Sequence, residues 1–166
     1  MHHIPSVRRL PAWLGAALLG GAALVSAPGA HAALGQPASS ALADGTPALQ
    51  ARTLRAAGST QVTDTTVTDP SGVTVHEFSG LDGVVFAITW SGTTIPDLQQ
   101  LLGSYFSGYQ DWLRAHPAPS YRAAVGVRTP QVVAHASGHM RAYSGSAYAP
   151  SLVPAGVDLA SLGVQP

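Results

Sequence analysis

The 166-residue chain contains no cysteine and no lysine, and Glu77 is its only glutamate. Without cysteine there is no disulfide, no thiol nucleophile, no thiolate metal ligand and no lipid-modified cysteine behind a leader. Without lysine every basic residue is arginine, and the eight of them balance eight acidic residues to a formal net charge of zero. No basic stripe exists to neutralise phosphates, which argues against a nucleic-acid partner. Glycine-rich phosphate loops are missing, as is the G-x-S-x-G elbow, so neither a nucleotide enzyme nor an elbow-type hydrolase is indicated. No two carboxylates stand at a spacing that implies a shared acid/base site, and Asp97 and Asp111 fall on the polar side of a helical pattern. Apart from the N-terminus, no apolar run approaches the roughly 20 residues of a membrane span. The mature chain is therefore expected to lack a transmembrane segment.

What is present begins with that N-terminus. Arg8-Arg9 supplies a positive region, residues 10–25 an apolar stretch, and Ala30-His31-Ala32 a small-x-small cleavage site. This is the pattern of a secretory signal peptide, with cleavage expected after Ala32. Residues 33–58 are rich in Ala, Gly, Pro and Ser and read as a flexible linker, with a short helical turn at 50–57.

The centre of the chain is more ordered in its periodicity. Val84-Val85-Phe86-Ala87-Ile88-Thr89-Trp90 is a β-branched and aromatic run between glycines, a strand signal. Alternation puts Val84, Phe86, Ile88 and Trp90 on one face, expected to look into the core, and smaller residues on the other, as in a sheet covered on one side. The period then changes to that of a helix. Thr94-Ile95-Pro96-Asp97 provides capping chemistry, and Leu98, Leu101, Leu102, Tyr105, Phe106, Tyr109, Trp112 and Leu113 recur on one face. Gly103 and Gly108 are expected where this helix crosses the sheet closely.

Before the central strand, residues 59–68 and 73–78 read as two more strands joined by Asp69-Pro70-Ser71-Gly72. After the helix, His116-Pro117 opens a loop to about residue 129. Residues 131–136 and 139–143 then form a hairpin with its tight turn at Ser137-Gly138. The order β-β-β-α-β-β predicts an α+β fold, an antiparallel sheet with one amphipathic helix on one face. Residues 59–157 form a single domain in this reading, with 158–166 as a C-terminal tail.

These segments together resemble the domain-of-unknown-function family twenty-eight forty-four, short exported proteins of Gram-negative bacteria. The residues that carry the resemblance are Val84 through Gly92, Pro96-Asp97-Leu98 with Leu101 through Phe106, Ser137 through Tyr143, and Pro150 through Val157. The resemblance implies export and a single domain. It brings no activity, substrate or catalytic residue.

Three functions are weighed. The leading one is a non-enzymatic exported envelope protein that binds another envelope component. Its candidate binding face is a strand carrying His139, Arg141 and Tyr143, because Arg and Tyr combine contact area with directional hydrogen bonds. The alternative is a small periplasmic hydrolase or metal-dependent enzyme using His135 and His139, with His76 or His116 as a third ligand. A two-residue turn at Ser137-Gly138 would point those two imidazoles to opposite faces, and a three-residue turn would set them opposite each other. The third is a structural or surface-associated protein without a discrete ligand. No cofactor is implied.

Overall fold

The structure, a computed structural model, describes residues 33–38, 50–55, 60–68, 71–117 and 124–166. The signal-peptide expectation, residues 1–32, lies outside the described residues.

Seven strands form one antiparallel sheet: β1 (Gln50–Arg55), β2 (Gln61–Thr68), β3 (Thr74–Ser79), β4 (Val85–Gly92), β5 (Val125–Arg128), β6 (Val133–His139) and β7 (Ala142–Tyr148). Their spatial order is β1-β2-β3-β4-β7-β6-β5, two meanders joined where β4 pairs with β7. The helical crossover between β4 and β5 consists of α1 (Leu98–Leu102), a 3-10 turn (Gly103–Tyr105) and α2 (Phe106–Ala115).

The α+β class therefore holds, but the predicted element order needs correction, since three strands follow the helix rather than two. β5 is the addition. It was hidden in the expected loop because its four residues, Val-Gly-Val-Arg, are too few to show a period. β1 replaces the expected helical turn at 50–57, and it pairs with β2 in register from Gln50↔Thr66 to Arg55↔Gln61. The linker expectation for 33–58 is also corrected where the chain is described. Leu34 is fully buried, its N–H donates to Leu101 O at 2.9 Å, and Gly35 N–H donates to Val85 O at 2.8 Å. These six residues stitch the end of α1 to the start of β4.

The helix begins at Leu98 because the Asp97 side chain, not that of Thr94, caps it, accepting from the N–H groups of Gln99 and Gln100 at 2.9 and 3.1 Å. Gly103 breaks the helix with φ 53, and a Cβ there would collide with Ala33. The close approach expected at Gly103 is therefore to the N-terminal segment and not to the sheet. Gly108 is exposed and approaches nothing. Leu101 and Leu102 are fully buried and Tyr109 nearly so against Val75, Ile88, Trp90, Ala134 and Ala147, with Leu98, Phe106 and Trp112 partly buried at the margin.

The expectation of one covered face fails for a specific reason. Phe78 pairs with Ala87 but Ser79 pairs with Val85, so β4 carries one extra residue, a β-bulge at Phe86. The bulge reverses the alternation. Val85, Ile88 and Trp90 lie under the helix, whereas Phe86 and Ala87 belong to a second core with Val62, Phe78, Val133 and Tyr148. That second core is covered by the C-terminal segment through Val153, Val157, Leu159, Leu162 and Val164. Residues 158–166 are consequently part of the fold and not an appended tail.

Candidate functional site

The register of the sheet decides which side chains come together. Directly paired residues of antiparallel strands share a face and stand about 5 Å apart. Below the part of the sheet covered by the C-terminal segment, Thr66 pairs with His76, His76 with Thr89, Thr89 with Ser146, and Ser146 with His135. Two residues further along each strand, Thr68 pairs with Thr74, Thr74 with Ser91, Ser91 with Ser144, and Ser144 with Ser137. Two rows of hydroxyl and imidazole groups thus cross β2, β3, β4, β7 and β6 on one face. Neither row contains an arginine, a carboxylate or a large apolar side chain.

The inner row is partly closed by the C-terminal segment. Ser146 is 3% exposed and its Oγ accepts from Gln165 N–H at 3.1 Å. The outer row is open, with Thr68, Ser91, Ser137 and Ser144 exposed and Thr74 half-buried. At the β2 end, His76 Nδ1 lies 3.1 and 3.3 Å from the two Asp64 carboxylate oxygens and 3.2 Å from Thr66 Oγ1. A carboxylate only accepts, so Nδ1 donates and the ring presents Nε2 to whatever approaches. The His76 ring also stacks on Phe78, with centroids 6.4 Å apart, which holds its plane.

At the β6 end the inner row meets a cavity of about 260 Å³ lined by Thr89, Trp90, His135, Ser144, Ser146 and Gln165, among others. His135 Nε2 is buried there and has no hydrogen-bond partner among the described residues. A buried polar atom without a partner costs roughly 1–3 kcal/mol, so its position is informative. On the opposite face, under the helix, the Trp90 ring lies across Gly145, where no Cβ could be accommodated beneath it. Glycine in this strand serves the close approach of an aromatic ring.

The residues expected to form the site are placed differently. The turn of the β6–β7 hairpin is Met140-Arg141, with His139 paired to Ala142, and not Ser137-Gly138. Gly138 is a cross-strand contact instead, opposite Tyr143, where a Cβ would strike Ala142 O and the Tyr143 ring. The structure therefore does not bring His139, Arg141 and Tyr143 onto one strand face. Arg141 sits in the turn with φ 65, and His139 and Tyr143 point to opposite sides of the sheet. Tyr143 lines a separate cleft of about 160 Å³ with Trp90, Ile95, Pro96 and Leu98. His135 and His139 share a face, but on one strand and four residues apart, a separation of about 13 Å. That is too far for one ion. His116 is elsewhere, stacked on Trp112 with centroids 4.2 Å apart and its Nδ1 3.0 Å from Trp112 O. Among the described residues no group of three or more His, Asp or Glu side chains could hold a metal.

A family model described as "Protein of unknown function (DUF2844)" matches residues 30–162. The chain belongs to this family. The match spans all seven strands, the crossover helix and the C-terminal segment as far as Leu162, so the polar rows are part of the family domain. No curated protein and no solved structure matches the chain. Sequence reasoning missed the rows because their members are dispersed over residues 66–146 and only the register aligns them. The one local signal was the recurrence of Ser and Thr at alternate positions in three of the five strands, β2, β4 and β7.

Proposed function

We propose that the mature chain is an exported, non-catalytic protein that binds another component of the bacterial envelope through the open polar part of its sheet. Export is supported by the Arg8-Arg9 pair, the apolar residues 10–25 and the Ala30-His31-Ala32 cleavage pattern. Among the described residues no helix is long and apolar enough to cross a membrane. Binding is supported by one observation above the others, the cavity beside His135 that opens onto a face of hydroxyl groups. His139, Arg141 and Tyr143 border this region without forming one surface. Arg141 belongs to the rim of the hairpin tip.

The test uses the full-length gene expressed in a Gram-negative host. N-terminal sequencing of the product is expected to begin at Ala33, and the mature chain to co-sediment with one class of envelope fraction. The variant Ser144→Arg, which places a long cation in the exposed row, is expected to abolish that co-sedimentation. An uncleaved chain retained in the cytoplasm, or a mature chain that no fraction retains, would overturn the reading.

A second reading, a small hydrolase, is favoured by the Asp64–His76 pair, which orients an imidazole as a general base would be oriented. Thr89 and Ser161 line the same recess as that pair. Ester hydrolysis that disappears in His76→Ala would support it over the binding reading.

A further inference from the structure

We propose that the mature chain pairs with a second copy of itself by exchanging hairpin tips. Met140 of each copy enters the apolar cleft bounded by Trp90, Ile95 and Tyr143 of the other. This surface lies on the helix-covered side of the sheet, away from the polar rows, and goes beyond the reading of that polar face.

Exposed apolar surface is the first argument. Among the described residues three large apolar side chains stand out in solvent. Leu81 is alone in the β3–β4 turn, at the far end of the sheet. Met140, 89% exposed, and Ile95, 66% exposed, belong to the other end, where β4 finishes at Gly92 opposite Tyr143. Met140 occupies the two-residue tip of the β6–β7 hairpin, and Ile95 precedes α1.

A receiving site is the second argument. Trp90 pairs with Gly145, and Gly145, Tyr143 and Gly138 share the helix-covered side. Where the hairpin passes the start of α1, that side is left as a cleft of about 160 Å³, lined also by Ile95, Pro96 and Leu98. Small-molecule pockets run to about 300–1,000 Å³, so this cleft is on the scale of one inserted side chain. Walls of indole and phenol suit a thioether, whose sulfur packs favourably against aromatic rings.

Charge complementarity is the third argument. Arg141, next to Met140, is exposed and has no ion-pair partner among the described residues. Its φ of 65 is a conformation that glycine takes without strain, so the turn holds a cation at some cost to the backbone. Asp97, between the cleft residues Pro96 and Leu98, is exposed and caps the helix through Oδ1 alone. Its Oδ2 is left to a partner from outside. A tip seated in the cleft of another copy brings a guanidinium beside this carboxylate, and two-fold symmetry makes each contact twice. The formal net charge of zero adds no long-range repulsion between copies.

Sedimentation velocity of the mature chain from ~1 µM to ~1 mM should show a reversible monomer–dimer equilibrium, weak because the patch is small. Met140→Asp, at a position too exposed to disturb folding, is expected to weaken the dimer by about tenfold or more. Arg141→Gly should weaken it severalfold while the urea midpoint of the dilute chain does not fall. Asp97→Asn, which preserves the helix cap, should have the same effect on the dimer. Leu81→Asp should leave the dimer unchanged. A chain that stays monomeric to ~1 mM overturns the inference, even if Met140→Asp releases it from envelope fractions, since the cleft would then serve a different protein. A dimer that survives Met140→Asp, or open-ended oligomers in place of a closed pair, overturns it as well.

Discussion

Arg141 is the one non-glycine residue with positive φ among the described residues, at 65°, and it occupies the second position of an exposed two-residue turn. For an L-residue that conformation costs roughly 1–2 kcal/mol, while glycine adopts it freely but loses about 0.5–1 kcal/mol of chain entropy. Arg141→Gly is therefore expected to stabilise the protein by about 0.5–1 kcal/mol, read as a higher urea midpoint at unchanged m. A loss of stability would mean that the guanidinium makes a contact of its own. Tyr109 makes the opposite kind of prediction. Burial under the sheet raises its phenol pKa above the ordinary value of about 10, because the desolvated site disfavours the phenolate. Below that ordinary value the phenol is neutral in both states and the stability it contributes is complete. As pH rises past it, the unfolded chain releases a proton that the folded chain retains, so stability falls until the raised folded value is passed. Urea midpoints measured across the alkaline range should decline above about pH 10, and Tyr109→Phe should flatten part of that decline.

At the scale of elements, the C-terminal segment matters most. Val164 is 1% exposed, and Leu159 and Leu162 pack beside it on Val62, Phe78, Ala87 and Tyr148. Deleting residues 159–166 would uncover that second core and remove the Gln165–Ser146 hydrogen bond. The expected cost is on the order of 3–5 kcal/mol, since each fully buried side chain of this kind contributes about 1.5–3 kcal/mol and two of the three are only partly buried. Urea unfolding together with binding of a hydrophobic dye would detect both the lost stability and the exposed surface. The same segment shows what the sequence could reveal. The α+β class, β2, β3, β4, β6, β7 and the helix are legible, because each carries its own period or turn residues. The second core is not, because it depends on one extra residue in β4, and a bulge leaves no mark on composition. Ser137-Gly138 misleads for a related reason. A glycine chosen for close approach of Tyr143 looks, in sequence, like a glycine chosen for a turn. The candidate site was the least legible part. His135 was identifiable as a residue, but its row with Ser146, Thr89, His76 and Thr66 exists only through four strand pairings.

For the whole molecule, the decisive feature is that neither meander has a core of its own. The seam between β4 and β7 runs from Ala87↔Tyr148 to Gly92↔Tyr143, joining strands about 55 residues apart in sequence. On one side the helix buries Leu101, Leu102 and Tyr109 against residues of both meanders, Val75, Ile88 and Trp90 from the first and Ala134 and Ala147 from the second. On the other side the C-terminal segment does the same with Phe78 and Ala87 from the first and Val133 and Tyr148 from the second. Separating the halves would therefore open both cores at once. Unfolding should be a single cooperative transition, with Trp fluorescence, which reports Trp90 at the seam together with Trp112 on the helix, and far-ultraviolet circular dichroism giving the same midpoint. Because the pairing that closes the seam is long-range, refolding should take milliseconds to seconds and not microseconds. Two separated transitions would show that one meander is stable alone. The polar rows would then cross the boundary between two units, whereas a single transition makes both meanders and the face they share one cooperative unit.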